Sequence, residues 1–285
     1  MKGIILSGGT GSRLYPLTTT VNKQLLPVYD KPMIYYPMCT LLSCGITDFC
    51  IISSHEFLSH YEKLFGDGSQ FGIKITYRIQ YKPKGIAESL IIAEDFINND
   101  NVALILGDNI FHGMARIKTS LNGALIFGYE VNNPQEYGVI EFDKDDNILS
   151  IEEKPINPKS NFVVPGLYFY DKNATEYAKT LKPSRRGELE ITDLNSIYLK
   201  KKQLTAVKFA KGTAWLDVGT TTSLFESSAY IHSIQSRQGI KIGCIEEECF
   251  KRKLINQDQL QNLIDKLPNS EYKQYLIKLL HCNVI

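Results

Sequence analysis

Short apolar runs alternate with helix-period stretches through the first half of the chain. Residues 4–6, Ile-Ile-Leu, read as a buried strand, and so do 49–52, 74–79 and 102–106. The last of these, Val-Ala-Leu-Ile-Leu, has no polar position, as expected of a parallel strand covered on both faces. Residues 33–43 and 87–97 read as helices. Pro32 stands at the start of the first and Gly45 just past its end, the usual asymmetry of helix termini. Strands alternating with helices predict an α/β domain. The second half is less regular, with strands near 124–129, 139–142 and 166–170. Beyond about residue 222 the pattern is mostly helical. The expected organisation is an α/β body over 1–221 and a helical appendage over 222–285, packed on the body or on another subunit.

The first strand runs into a loop with Gly8, Gly9 and Gly11, followed by Arg13 and Lys23. Glycines let backbone N–H groups close around an anion, and the two cations supply charge for a phosphate chain. Two common phosphate loops are excluded. Gly11 is followed by Ser12-Arg13 where a P-loop has Lys-Ser/Thr, and Leu14 stands where a dinucleotide fingerprint needs its third glycine. On the glycines alone, a plain βα turn fits as well as a phosphate loop.

Composition narrows the classes. With 285 residues and 43% hydrophobic positions the chain can bury a sizeable core. A net charge of +1 argues against a nucleic-acid binder. The Lys200-Lys201-Lys202 run reads as a solvated helix end. Cys39, Cys44 and Cys50 sit among apolar residues, and neither they nor the pair Cys244/Cys249 has companions for a zinc site. Reduced thiols point to the cytoplasm. There is no signal peptide and no run of membrane-spanning length, so no membrane partner is expected.

The stretch Gly-Gly-x-Gly-Ser-Arg-Leu, with Lys23 in a Lys-Gln-Leu-Leu-Pro context, resembles the signature of the sugar nucleotidylyltransferases, within them most closely the branch that makes dTDP-glucose from dTTP and glucose 1-phosphate. The resemblance runs from Lys2 into the C-terminal helices through several motifs in order. It implies a Rossmann-like three-layer α/β/α fold with a mostly parallel central sheet, a nucleotide half over about 1–110 and a sugar-binding half over about 111–221. It also implies Mg2+ as cofactor and diphosphate as the second product.

Asp108 closes an apolar strand in Leu-Gly-Asp-Asn, and Asp217 sits in Trp-Leu-Asp-Val-Gly. Asp beside Gly is common in turns, but a carboxylate at a strand's C-terminal end lies where α/β sheets bind ligands. Magnesium needs only one or two carboxylates besides phosphate oxygens and water. By resemblance, Asp108 and Asp217 hold the metal, while Arg13 and Lys23 hold phosphates. Leu6, Gly8, Gly9, Gly11, Ser12 and Gln24 line the nucleotide, and Gln80 and Gly85 meet the base. An amide offers a donor and an acceptor to a pyrimidine edge. Here Lys82 and Lys84 flank Pro83, where relatives often carry an acidic residue before the glycine, which loosens the base assignment. On the sugar side the resemblance implies Asn109, Gly138, Glu153, Lys154, Val164, Tyr168 and one of Arg185 and Arg186, preferentially Arg186. Glu188, Glu190 and Asp193 are expected to cap and charge the next helix, and Trp215 to pack beside Asp217.

These parts compose one reaction. A sugar 1-phosphate oxygen attacks the α-phosphorus of the triphosphate and diphosphate leaves in line, without a protein nucleophile. Members of the family are usually homotetramers with an inter-subunit site for a dTDP-sugar feedback effector; the nearby segment 110–127 looks shorter than its counterparts. The alternatives are a UTP-using uridylyltransferase and an inactive nucleotide-sugar-binding regulatory subunit. A glycosyltransferase would need a DxD-type motif, which Asp108-Asn109-Ile110 does not supply.

Overall fold

The computed structural model describes residues 1–115, 117 and 122–281. Strand β1 (Lys2–Ser7) leads into the glycine loop and a hairpin of β2 (Pro27–Val28) and β3 (Lys31–Pro32). Helix α1 (Tyr35–Ser43), β4 (Asp48–Ser53), α2 (Leu58–Phe65), β5 (Lys74–Ile79), α3 (Glu88–Ile92), α4 (Glu94–Ile97) and β6 (Val102–Leu106) complete the first half. The second half contains β7 (Asn109–His112), β8 (Ala124–Glu130), β9 (Gly138–Phe142), β10 (Ile148–Glu153), β11 (Phe162–Val163), β12 (Leu167–Tyr170), α5 (Ala174–Thr180), α6 (Ile191–Lys200), β13 (Leu204–Lys208) and β14 (Ala214–Asp217). Helices α7 (Thr221–Gln238), α8 (Ile245–Lys251), α9 (Gln257–Lys266) and α10 (Glu271–His281) follow.

The main sheet runs β10-β9-β11-β8-β12-β6-β1-β4-β5, with β13 also pairing to β8. Strands β6, β1, β4 and β5 are mutually parallel, whereas β12 crosses to β6 antiparallel and opens a largely antiparallel second half. Strand alternation divides the core. Ile4, Cys50, Ile52 and Leu104 face one side with helices α3 to α6, while Ile5, Phe49, Ile51 and Ile105 face the other with α1, α2 and the C-terminal helices. This is the three-layer architecture that the family resemblance implies.

Three local expectations are corrected. Pro32 does not start a helix; it pairs with Pro27 in the β2–β3 hairpin, and α1 begins at Tyr35. The helix expected over 87–97 departs from helical geometry at Ala93 (φ −95°, ψ 16°), which leaves two short helices on one core. Glu190 occupies the position before α6 without capping it, because its carboxylate instead accepts from Arg186 (2.7 Å) and Ser184 (2.6 Å). The compact stretch read at 110–127 lies partly outside the described residues.

The C-terminal helices are built into the core rather than hung from it. Ile245, Cys249, Leu260 and Leu276 share one apolar cluster with Ile5 and Phe49. The hairpin is held the same way. Asp30 pairs with Lys31 (2.5 Å) and Lys241 (2.6 Å), and the buried Lys31 ammonium donates to the Ile242 carbonyl (2.9 Å). At Gly72 (φ +69°) an added Cβ would lie 2.2 Å from the Leu254 carbonyl oxygen. Both the backbone angle and the contact therefore exclude a side chain. Gly72→Ala is expected to cost about 2–3 kcal/mol, as strained backbone plus a core clash does, measured as the shift in denaturation midpoint; an unchanged midpoint would show the appendage seam to be loose.

Candidate active site at the C-terminal edge of the parallel strands

Gly9 (φ +91°) and Gly11 (φ +60°) turn the chain sharply after β1, and buried Leu14 anchors the following turn. Exposed Arg13 folds back over Gly219: a Cβ there would lie 3.1 Å from the guanidinium. Lys23 begins a second short turn whose preceding residue, Asn22, accepts from the Gln24 N–H (3.1 Å) and the Tyr61 hydroxyl (2.6 Å). That anchoring aims the Lys23 ammonium at the Asp108 carboxylate, with which it forms a short ion pair. Gln24 is buried against Gly107, and among the described residues its Oε1 has no hydrogen-bond partner.

Asp108 and Asp217 meet because β7 pairs antiparallel with β14, with Asn109 opposite Asp217. Asn109 is buried. It donates to Asp108 Oδ1 (2.9 Å) and accepts from the Gly166 N–H (3.0 Å) and Trp215 Nε1 (2.7 Å). Burial and the Asp108 carboxylate push the Asp217 carboxyl up to about 6, against the pull of Lys23 and Arg13. Such a pair of carboxylates favours a divalent cation. Among the described residues no group of three or more His, Cys, Asp or Glu side chains is placed to hold a metal ion, so an ion here would take its remaining ligands from phosphate and water.

A cavity of about 280 Å³ opens beside these carboxylates. Its walls carry Arg13, Asp108, Asn109 and Asp217 from one side and Gly138, Glu153, Lys154, Val164, Tyr168 and Arg186 from the other. The β9–β10 ladder sets Glu153 opposite Gly138, and Val164 N–H bonds the Gly138 carbonyl (2.8 Å). Glu153 accepts from Thr192 (2.5 Å) and faces Arg186 (3.4 Å). Lys154 holds a left-handed backbone (φ +46°), uncommon outside glycine and often found at functional sites.

The expected base-contacting residues lie on the opposite side of the glycine loop. Gln80, 4% exposed, follows β5, and its Oε1 abuts Gly8, where an added Cβ would lie 2.0 Å away. Its Nε2 donates to Glu88 Oε2 (2.8 Å), which also accepts from the Lys84 N–H (3.1 Å). Gly85 (φ +103°) packs on Leu189, whose carbonyl oxygen would sit 2.4 Å from an added Cβ. Leu6, Gly8, Gly9, Gly11, Ser12, Gln24, Gln80 and Gly85 are outside the cavity lining. Thr192, Glu190 and Gly219 belong to the site and were missed as such. Thr192 lies in a segment that reads only as a helix start. Trp215 does pack near Asp217, but it also lines the cavity. The five described cysteines are free, and burial raises their thiols, for example Cys44 to about 11. No helix among the described residues is long and apolar enough to cross a membrane.

Comparison with known proteins supplies the context. A family model described as nucleotidyl transferase matches residues 2–234. The chain is 49% identical to a glucose-1-phosphate thymidylyltransferase of Neisseria meningitidis over 98% of this chain and 99% of that one. It is also 49% identical, with the same coverage, to one of Mycolicibacterium smegmatis. A solved Bacillus anthracis structure described as a glucose-1-phosphate thymidylyltransferase with sucrose superposes with a TM-score of 0.74 at 45% identity, over 81% of this chain and 94% of that one. A UDP-glucose pyrophosphorylase complexed with UDP-glucose shares the fold at TM-score 0.71 and 23% identity, over 82% of this chain and 98% of that one.

The raised Asp217 carboxyl has a consequence for stability. Between its ordinary value of 3.8 and about 6 the unfolded chain releases a proton that the folded chain retains, so stability falls as pH rises through this window. Asp217→Asn is therefore expected to stabilise the metal-free protein by about 1–2 kcal/mol at pH 7.5 and by less at pH 4.5. Thermal melts in EDTA read both values, and a variant no more stable than the parent at pH 7.5 would refute the repulsion.

Proposed function

The chain belongs to the nucleotidyl transferase family, alongside glucose-1-phosphate thymidylyltransferases, and from that membership we propose that it converts dTTP and α-D-glucose 1-phosphate to dTDP-α-D-glucose and diphosphate. The observation that carries this reading is the Lys23–Asp108–Asp217 cluster, lying between a glycine loop suited to phosphates and a polar cavity suited to a hexose phosphate.

A phosphate oxygen of the sugar attacks the α-phosphorus, and the bond from that phosphorus to the bridging oxygen of diphosphate breaks. The attacking oxygen is already anionic, so charge placement and alignment do the catalysis. Lys23 neutralises charge developing around the α-phosphate. Arg13, exposed and lying over Gly219, takes the departing β- and γ-phosphates. Leu6, Gly8, Gly9, Gly11, Ser12 and Gln24 surround the nucleotide, with Gln80 and Gly85 at the base. Glu153 and the backbone of Gly138 and Val164 take sugar hydroxyls beside Asn109 and Tyr168, while Lys154 and Arg186 hold the sugar phosphate. Asp108 and Asp217 would hold Mg2+, which when bound supplies positive charge at the α-phosphate.

The reading extends to organisation. Residues 1–221 form the catalytic domain, with nucleotide and sugar halves meeting near residue 110, and 222–285 supply oligomer contacts in a cytoplasmic homotetramer. The dTDP-sugar effector is assigned to an inter-subunit site near segment 110–127, where a cavity of about 250 Å³ is lined by Cys44, Met114 and Arg252.

Diphosphate release is measured with glucose 1-phosphate and Mg2+, offering dTTP and UTP in parallel. Release with dTTP at least as fast as with UTP is expected. Release with UTP alone would make the chain a uridylyltransferase, and none with either, from protein that still binds nucleotide, would leave another substrate pair or a regulatory subunit. Lys23→Ala is expected to fold normally and lose roughly a hundredfold in kcat, as removal of one preorganised charge does; near-parental turnover would take Lys23 out of the mechanism.

A further inference from the structure

We infer that Glu88 sets base selectivity by locking the orientation of the Gln80 amide, so that the site accepts keto bases and rejects amino bases; the inference rests on the proposed nucleotidyl transfer with Gln80 at the base. An ionised carboxylate only accepts hydrogen bonds. Glu88 Oε2 already accepts from the Lys84 backbone N–H at 3.1 Å, so the Gln80 atom 2.8 Å from the same oxygen must be its nitrogen. Gln80 is 4% exposed, and its Oε1 is thereby directed at Gly8, where it fills the space that a side chain would take. Turning the amide over would bring two acceptor oxygens face to face beside a buried side chain, at a cost comparable to a lost charge-assisted hydrogen bond.

A locked amide offers one pattern. Oε1 accepts, and the second hydrogen of Nε2, free of Glu88, donates next to it. Thymine and uracil present the complement, with N3–H as donor beside a carbonyl acceptor. Cytosine presents N3 as acceptor beside the N4 amino donor, which needs the amide reversed. Two pyrimidines of the same size are thus separated by an interaction one residue behind the base contact, through rejection as much as attraction. Glu88 itself is a positioning residue, reaching Gln80 from the first turn of α3. The sequence motif around Lys82 and Lys84 gains a structural meaning here. The Lys84 backbone, not its side chain, helps to hold Glu88 in place.

The test compares kcat/KM for dTTP and dCTP, with glucose 1-phosphate as partner, in the parent and in Glu88→Ala, Glu88→Leu and Glu88→Gln. Freed to rotate, the amide serves either base, so the dTTP:dCTP ratio is expected to fall by about tenfold in the alanine and leucine variants, the worth of one oriented hydrogen bond. Glu88→Gln still presents an oxygen to the Lys84 N–H and hence to Gln80, and is expected to keep the parent ratio within about threefold. A ratio unchanged in the alanine and leucine variants overturns the proposal. An equal fall in the glutamine variant also overturns it, because charge and not amide orientation would then be responsible. Calorimetric binding of dTDP and dCDP reads the same ratio without turnover. Parent protein that prefers dTDP but transfers no nucleotidyl group would sink the reaction while leaving this ratio to decide the role of Glu88.

Discussion

Asp108 and Asp217 reach the same point only because β7 and β14 pair in antiparallel register, and the resulting repulsion governs the surrounding groups. Lys23 is drawn onto Asp108, Asn109 donates to the same carboxylate, and Arg13 lies over Gly219, two residues after Asp217. The protein bears a local instability at this spot that a cation and two phosphorylated substrates are suited to relieve. Stability given up where charge must be exchanged is a common condition of active sites.

The two halves of the sheet contribute different things. The parallel half ends its strands along one edge, which puts the glycine loop, Gln80 and Asp108 side by side. The antiparallel half brings opposed residues into ladders, so Gly138 and Glu153 converge on one wall. Strand β12 joins the halves, and the Leu106 N–H bonds the Gly166 carbonyl (2.9 Å) where they meet. The cavity falls at this seam, lined by residues of both halves.

Much of the parallel half was legible because its strands are buried on both faces and read as unbroken apolar runs with little competing signal. Asp108 was legible for the same reason, as the first carboxylate after such a run. The β7–β14 ladder was not, because its strands lie about a hundred residues apart and are four residues long, with no local mark of pairing. Pro32 misled because a proline before an apolar stretch fits a hairpin edge as well as a helix start. Glu190 and Thr192 looked like helix-start residues until their partners, Arg186 and Glu153, were in view. Glu88 gave no signal as a first-turn acid, since only the folded loop brings Lys84 and Gln80 to it. Residue types and strand ends could be read from the chain, whereas hydrogen bonds across distant segments could not.

The clamp on the β2–β3 hairpin also bears on the order in which the protein is made. Lys31 and Asp30 are among the first residues to leave the ribosome, yet their partners Ile242 and Lys241 are translated some two hundred residues later. Lys23 lies only four residues before that hairpin. The loop that carries Lys23 therefore acquires this support only when synthesis is nearly complete, and a chain cut short before residue 240 lacks the brace behind its lysine.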